Sequence, residues 1–406
     1  MSAPPNNLPR QADWIRNQRR SALRELLRVA AQPGILSLAG GLPAAEFFPR
    51  VAYAAALARV LRTDPHALQY RPPFEPLKEH IAQIMQARGV RCRAEQILVT
   101  TGAQQAVDVL VRLLVNPGQR VLLEAVTYTG VQQALGPLRP EVVAVPTDLE
   151  DGIDVDAVER ECTNGRRPAL LYAIPDAHNP YGVNIPPHNR QRLVEIATRY
   201  EVPIIEDDAY GLLHHTDRHG NGAGFAPPLY AHNQDWVFYV GSFSKILAPS
   251  LRLGWIVAPE GLLSSLTVAK EATDLETSAL TQRAVTTYLD EADFSVHLAQ
   301  LRNAYGQRRD AMLEALGRFF PRTAHWTRPT GGMFVWVELP EPAETWGLLD
   351  VAVREYGVAF VPGGAFATDG KAGRSCLRLS FATCAPADIT EAVRRLAKVV
   401  ERRRVA

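Results

Sequence analysis

From Gln96 onward, short apolar runs alternate with stretches of helical periodicity: Ile97-Leu-Val, Val121-Leu-Leu, Val142-Val-Ala-Val, Ala169-Leu-Leu-Tyr-Ala, Pro203-Ile-Ile and Trp236-Val-Phe-Tyr-Val. A strand that is apolar at every position has no face for water, and helical crossovers bring successive strands into one direction. The pattern predicts a parallel sheet covered by helices on both sides, closed by Gly254-Trp-Ile-Val. A charged, mostly helical stretch follows from about 261 to 320. After Pro321 come separated strands, Met333-Phe-Val-Trp-Val, Val358-Ala-Phe-Val and Cys376-Leu-Arg-Leu-Ser, with helices near 343–355 and 386–404, which predicts a smaller α+β unit. At the other end, Leu23, Leu26, Leu27 and Ala30 space an amphipathic helix from about 14 to 31, stopped by Pro33-Gly34.

The chain of 406 residues, 47% hydrophobic, can bury two or three cores. Its 44 Lys and Arg against 43 Asp and Glu leave a net charge of +1, no general footprint for nucleic acid or an anionic membrane. Cys92, Cys162, Cys376 and Cys384 are scattered, without metal-ligand spacing or a disulfide framework, so no metal and a reducing, cytoplasmic setting are expected. Residues 1–12 are polar and Pro-rich, without a signal-type apolar region, and no run approaches the roughly 18 apolar residues of a membrane helix.

In open α/β sheets ligands sit beyond the carboxyl ends of the strands. In Tyr239-Val-Gly-Ser-Phe-Ser-Lys the strand is expected to end at Val240, so that Ser242, Ser244 and Lys245 emerge from the next turn, with Arg252 following seven residues after the lysine. Alone, Ser-x-Ser-Lys is a weak motif and a lone lysine is usually a solvated charge. Its neighbours change that reading. Ile204-Ile-Glu-Asp-Asp-Ala-Tyr puts Asp207 and Tyr210 at a second strand end, and Ile174-Pro-Asp-Ala-His-Asn puts Asn179 at a third. At Thr100-Thr-Gly-Ala-Gln-Gln a fourth strand turns through Gly102 into a helix, whose free N–H groups and positive dipole end form a seat for phosphate.

These residues, in this order, resemble the fold type I pyridoxal phosphate enzymes, specifically the class I/II aminotransferases, and among them the branch containing 2-aminoadipate aminotransferases. The resemblance runs from about Ser21 to the C-terminal helix. It rests on Gly34-Ile-Leu-Ser-Leu-Ala-Gly-Gly-Leu-Pro, Thr101-Gly-Ala-Gln-Gln, Asn179-Pro-x-Gly, Asp207-x-x-Tyr210, Ser242-x-Ser-Lys-x-x-x-Pro-x-x-Arg252, Gly331-Gly-Met-Phe-Val-Trp and Arg378-Leu-Ser-Phe. It implies an N-terminal arm and helix (1–48), a large domain with a mostly parallel seven-stranded sheet and helices on both faces (49–290), and a smaller α+β domain (291–406).

The implied activity is transfer of an amino group between an L-amino acid and a 2-oxo acid by a ping-pong route. Lys245 would hold the cofactor's aldehyde and then carry the α-proton, a task that needs an amine. Asp207 would keep the pyridine nitrogen protonated, because an adjacent negative charge favours the cation. Asp208, one residue on, faces the other side of the strand and reads as a supporting carboxylate. By resemblance, Asn179 and Tyr210 donate to the cofactor's phenolic oxygen and Tyr128 stacks on its ring. Gly102, Ala103, Gln104, Ser242, Ser244 and Arg252 form the phosphate cup. Arg378 clamps the substrate α-carboxylate, the segment at Gly40 and Gly41 closes over it, and Asn179 also touches substrate. Tyr70 reaches the phosphate of a neighbouring subunit, which implies a homodimer with shared sites.

Ser21 and Arg24, three apart on the first helix, align with positions that in 2-aminoadipate aminotransferases meet a distal carboxylate, although Arg16, Arg19, Arg20 and Arg28 crowd the same helix. This favours acidic substrates such as glutamate or 2-aminoadipate. Two departures bear on the substrate. Arg71-Pro-Pro-Phe74 replaces a glycine-containing loop near the shared mouth of the site, and Tyr181 stands in Asn-Pro-Tyr-Gly where a small threonine is common. Another pyridoxal phosphate reaction, such as elimination, cyclisation or an oxidase-like step, is the alternative, because a scaffold does not decide which bond breaks. A regulator using the fold to bind effectors is a remoter one, since only about 20 residues precede the first matched helix.

Overall fold

The computed structural model describes residues 9–16, 32–215 and 226–402. The predicted helix at 14–31 is described only at its start, Asp13–Arg16. Seven strands form the central sheet: β1 (Ile97–Thr100), β2 (Arg120–Glu124), β3 (Glu141–Val145), β4 (Leu170–Ala173), β5 (Ile204–Asp207), β6 (Val237–Ser242) and β7 (Gly254–Val257). Their order across the sheet is β1-β7-β6-β5-β4-β2-β3, and only β7 runs antiparallel to its neighbours.

Because side chains alternate across a strand, each apolar run feeds two cores. Leu98, Leu123, Leu170, Tyr172, Ile205, Phe238 and Ile256 pack under the helix Ala103–Leu114 on one face. Val99, Leu122, Leu171, Ile204, Tyr239 and Trp255 fill the other. The exception is β3, expected to be fully buried: it lies at the sheet edge and Val142 is 39% exposed.

The helices Leu263–Asp274, Ala279–Glu291 and Phe294–Phe319 occupy the predicted charged stretch. Beyond them an all-antiparallel sheet has the order β8-β9-β11-β10, with β8 at His325–Trp326, β9 at Phe334–Glu338, β10 at Val361–Pro362 and β11 at Cys376–Ser380. The helices Thr345–Tyr356 and Pro386–Arg402 cover it. Leu36–Ser37 pairs in parallel with Val358–Ala359, and Leu38 accepts from the Ser380 N–H, so the segment leading to Gly40 and Gly41 is laid against the smaller sheet. No helix among the described residues is long and apolar enough to cross a membrane.

Under the carboxyl ends of β4 and β5, Asp176 accepts from Arg88 (2.7 Å) and Arg190 (2.8 and 3.2 Å) and lies 3.1 Å from His214 Nε2. Burial pushes the Asp176 carboxyl up, but the Arg190 charge, the His214 hydrogen bond and Arg88 outweigh it and hold the group far below the usual carboxylate range. This network anchors the loop that leads to Asn179. Asp176→Ala leaves the buried Arg190 guanidinium without its carboxylate and Arg88 with Asp208 alone of the two, and is expected to cost about 3–5 kcal/mol. Urea unfolding followed by tryptophan fluorescence checks this, and a loss below about 1 kcal/mol would mean that water reaches those groups.

Candidate active site

The last residues of β5 divide the local chemistry. Alternation sends Asp207 to the face of Tyr172 and Ile205, and Glu206 and Asp208 to the opposite face. Asp208 is saturated: it accepts from Tyr239 Oη (2.8 Å), Arg88 Nη2 (3.1 Å) and the Gly211 N–H (2.6 Å). Asp207 accepts from Tyr172 Oη at Oδ2 (2.6 Å), while its buried Oδ1 has no hydrogen-bond partner. Burial raises the Asp207 carboxyl to about 6; the Tyr172 hydrogen bond lowers it and the neighbouring Asp208 charge raises it.

Strand β6 runs on to Ser242 rather than ending at Val240, because Gly254 of β7 pairs with Ser242. The following turn is tied by the Ser244 N–H to Ser242 Oγ (3.1 Å) and presents Lys245, whose Nζ donates to the Gly41 carbonyl at 2.8 Å. Burial pushes this amine down to about 8, the positive charges of Arg378 and Arg252 add to the effect, and Asp207 opposes it.

At the end of β1, Gly102 takes φ +85° as the cap of the helix Ala103–Leu114, a conformation that favours glycine. A Cβ there would also lie 2.7 Å from Arg252 Nη2. Arg252 itself has φ +49° and donates to the carbonyls of Thr101 (3.1 Å) and Pro249 (3.4 Å), which fixes a cation over the helix N-terminus. Gln104 donates to the Gly130 carbonyl (3.0 Å) and accepts from Tyr128 Oη (3.2 Å), so its side chain orients Tyr128.

From the smaller sheet, β11 contributes Arg378, 1% exposed. It donates to Asn179 Oδ1 (2.9 Å) and the Ala39 carbonyl (2.8 Å), and its Nε has no partner. Its guanidinium lies between the rings of Phe334 (4.2 Å) and Phe366 (4.8 Å), which fix its plane. Burial brings its pKa down to about 10. Gly41 lets the backbone come close here: a Cβ would sit 3.2 Å from the Phe334 ring, tight enough that the ring would have to give way slightly.

A cavity of about 270 Å³ joins these groups. Of the sequence-predicted residues it brings together Gly41, Ala103, Gln104, Tyr128, Asn179, Asp207, Tyr210, Ser242, Ser244, Lys245, Arg252 and Arg378. Gly102 and the buried Gly40 stand behind this wall. Tyr70, 82% exposed, does not line the cavity of its own chain. Ser21 and Arg24 lie outside the described residues.

Sequence reasoning assigned no role to Leu42, Ile174, Ala209, Pro249 and Phe334, which also line the cavity, or to Tyr172 and Phe366 behind it. Phe334 had a signal, since it stands in Gly331-Gly-Met-Phe and alternates with the core residue Met333. Neither departure enters this cavity. Tyr181 packs against His178 and Trp336, with ring centroids 5.0 Å away in both cases. Arg71 pairs with Asp64 (3.5 Å), and Arg283 lies over the Phe74 ring at 4.3 Å.

A buried carboxylate with one oxygen unmatched, an amine of depressed basicity and a cation over a helix N-terminus suit a phosphorylated ring that carries an aldehyde and a protonated nitrogen. Set on a mostly parallel seven-stranded sheet with a smaller domain, this is the arrangement of the fold type I pyridoxal phosphate enzymes. The match extends to sequence: residues 34–396 fit the model of the aminotransferase class I and II family, and the chain belongs to that family.

The chain is 41% identical over 388 residues to the 2-aminoadipate transaminase of Thermus thermophilus, covering 94% of each protein. It is 37% identical to the aromatic-amino-acid aminotransferase 1 of Thermococcus litoralis, over 94% of this chain and 91% of that one. The crystal structure of the α-aminoadipate aminotransferase of Thermus thermophilus, complexed with N-(5′-phosphopyridoxyl)-L-leucine, superposes with a TM-score of 0.87 at 40% identity, covering 96% of this chain and 97% of that one. The protein is a pyridoxal phosphate-dependent aminotransferase.

The depressed basicity of Lys245 has a direct consequence. Only the neutral amine attacks an aldehyde, so capture of pyridoxal phosphate by the cofactor-free chain should rise as pH climbs through about 8 and level off above it, where a lysine of ordinary pKa 10.5 would still be gaining. Borohydride trapping at each pH, followed by peptide mapping, measures this. A label on another lysine, or a rise still continuing at pH 10, contradicts the environment described for Lys245.

Proposed function

We propose that Lys245, Asp207 and Arg378 carry the transamination and that acidic L-amino acids are among the substrates. The carrying observation is the cavity lined by Lys245, Arg378 and Asp207, whose buried Oδ1 is unmatched. Bound pyridoxal phosphate supplies an aldehyde that takes up the amino group and a protonated ring that draws electrons from the substrate α-carbon.

Around it, Arg252, Ser242, Ser244 and the N–H groups of the helix beginning at Ala103 hold the phosphate. Asp207 holds the ring-nitrogen proton, Asn179 and Tyr210 donate to the phenolic oxygen, and Tyr128 stacks on the ring. Arg378 grips the α-carboxylate as a fork, which fixes the direction of the Cα–H bond. Lys245, once released, moves the proton from the substrate α-carbon. The segment at Gly40 and Gly41 closes the carboxylate end, where the carbonyls of Ala39 and Gly41 already bind Arg378 and Lys245.

The division into 1–48, 49–290 and 291–406 is supported by the confinement of one sheet to residues 97–257 and of the other to 325–380. Four free cysteines fit a reducing, cytoplasmic setting. Exposed Leu68 and Tyr70 support a homodimer in which Tyr70 serves the neighbouring site. Co-expression tests this: a Tyr70→Ala chain paired with a Lys245→Ala chain recovers about one intact site per dimer if Tyr70 acts across the interface, and none if it acts within its own chain.

Likeness to a 2-aminoadipate transaminase supports the acidic substrates, with Arg24 and Ser21 as readers of the distal carboxylate. The apolar wall of Leu42, Ile174 and Phe334 accommodates neutral side chains as well. Arg378→Ala should lower kcat/KM on the order of 100-fold for every amino and oxo acid, since all carry the α-carboxylate. Arg24→Ala should raise KM for glutamate and 2-aminoadipate while sparing neutral substrates. A panel of acidic, aromatic, basic and aliphatic amino acids, followed through the first half-reaction, separates the two effects. Identical profiles for Arg24→Ala and the wild type would remove the acidic-substrate reading alone.

A further inference from the structure

Tyr172 lies mid-strand in β4, fully buried, within a run that reads in sequence as plain core. The register Tyr172↔Ile205 and the two-residue period of β5 bring Asp207 to the same face, where the Tyr172 hydroxyl donates to Oδ2 at 2.6 Å. We propose that Tyr172 is a positioning residue of the active site: its hydroxyl occupies one oxygen of Asp207, so that the carboxylate keeps a single orientation and presents the other oxygen to the cofactor's ring nitrogen. The proposal rests on the role of Asp207 given above.

The opposite face of the sheet supplies the contrast. Tyr239 makes the same contact with Asp208 at 2.8 Å, but Asp208 also accepts from Arg88 and Gly211, and all three contacts tie it to the fold. Asp207 has the one tyrosine and an unmatched oxygen. Other ionisable groups act on Asp207 from several sides: Asp208 beside it in the chain, Lys245 from the turn after β6 and His178 from the loop after β4. Tyr172 itself is influenced by Tyr128 and Glu124, and burial keeps its hydroxyl protonated and therefore a donor.

A hydrogen bond to a charged carboxylate favours the charged form, so its removal makes Asp207 more basic and leaves it protonated at higher pH. A neutral carboxyl no longer favours a cationic ring. The test uses the full-length chain freed of cofactor and pyridoxamine 5′-phosphate, which forms no covalent bond with Lys245. Its dissociation constant is measured by fluorescence from pH 5 to 8.5. The variant-to-wild-type ratio cancels the titration of the ligand's own phosphate.

For Tyr172→Phe the ratio is expected to be near one at pH 8.5 and to rise to about tenfold below pH 6, the scale of one hydrogen bond to a charged group. Tyr239→Phe, the same deletion on the other face, should give a flat ratio. A flat ratio for Tyr172→Phe, or an equal pH-dependent rise for Tyr239→Phe, overturns the positioning role. Asp207→Asn separates this from failure of the underlying reading. Its ratio should be largest at pH 8.5 and shrink on acidification, and one that ignores pH would remove Asp207 as the charge partner and the proposal with it.

Discussion

The site depends on the alternation of side chains at the end of β5. Two adjacent aspartates face opposite sides of one sheet, and each side makes a different use of its carboxylate. Asp208 is consumed by Arg88, Tyr239 and the Gly211 N–H and holds the turn in place. Asp207 retains an unmatched oxygen in a buried position. A one-residue slip would exchange the two, leaving the saturated carboxylate at the cavity and the unmatched one in the core. The sheet register therefore determines which of the pair can meet a ligand.

A second constraint comes from the smaller sheet. Arg378 is held at its nitrogens by Asn179 and Ala39 and on its faces by Phe334 and Phe366. Phe366 also accepts, through its carbonyl, from the Thr127 N–H and the Gln132 side chain, on either side of Tyr128. The residue that orients the arginine is thus joined by its backbone to the segment that carries the ring-stacking tyrosine. The two sheets meet through the elements that build the site.

The strands of the central sheet were legible because burial on both faces leaves an uninterrupted apolar run, and the residues at strand ends because polar and glycine residues interrupt those runs. Less legible was whatever depends on pairing across the fold. The edge position of β3 leaves no mark in Val142-Val-Ala-Val, and the extension of β6 to Ser242 is caused by a partner strand. Tyr172 looks like core because its ring is core, and only the register with β5 shows that its hydroxyl has a task. Tyr181 and Arg71-Pro-Pro-Phe74 stand out in sequence as departures near the site; within the chain Tyr181 packs between His178 and Trp336, and Arg71 pairs with Asp64.

The charges of the lining suit the cavity to anions. Among the described residues that line it, Lys245, Arg252 and Arg378 are cationic and Asp207 alone is acidic. Burial and the positive charges of Arg378 and Arg252 lower the Lys245 amine, and burial lowers the Arg378 guanidinium, so both ionised states are held at a cost. A phosphate at the Gly102 end and a carboxylate at the Arg378 end each relieve that repulsion. Until those anions neutralise them, the same two arginines help bring Lys245 to the neutral form that attacks an aldehyde.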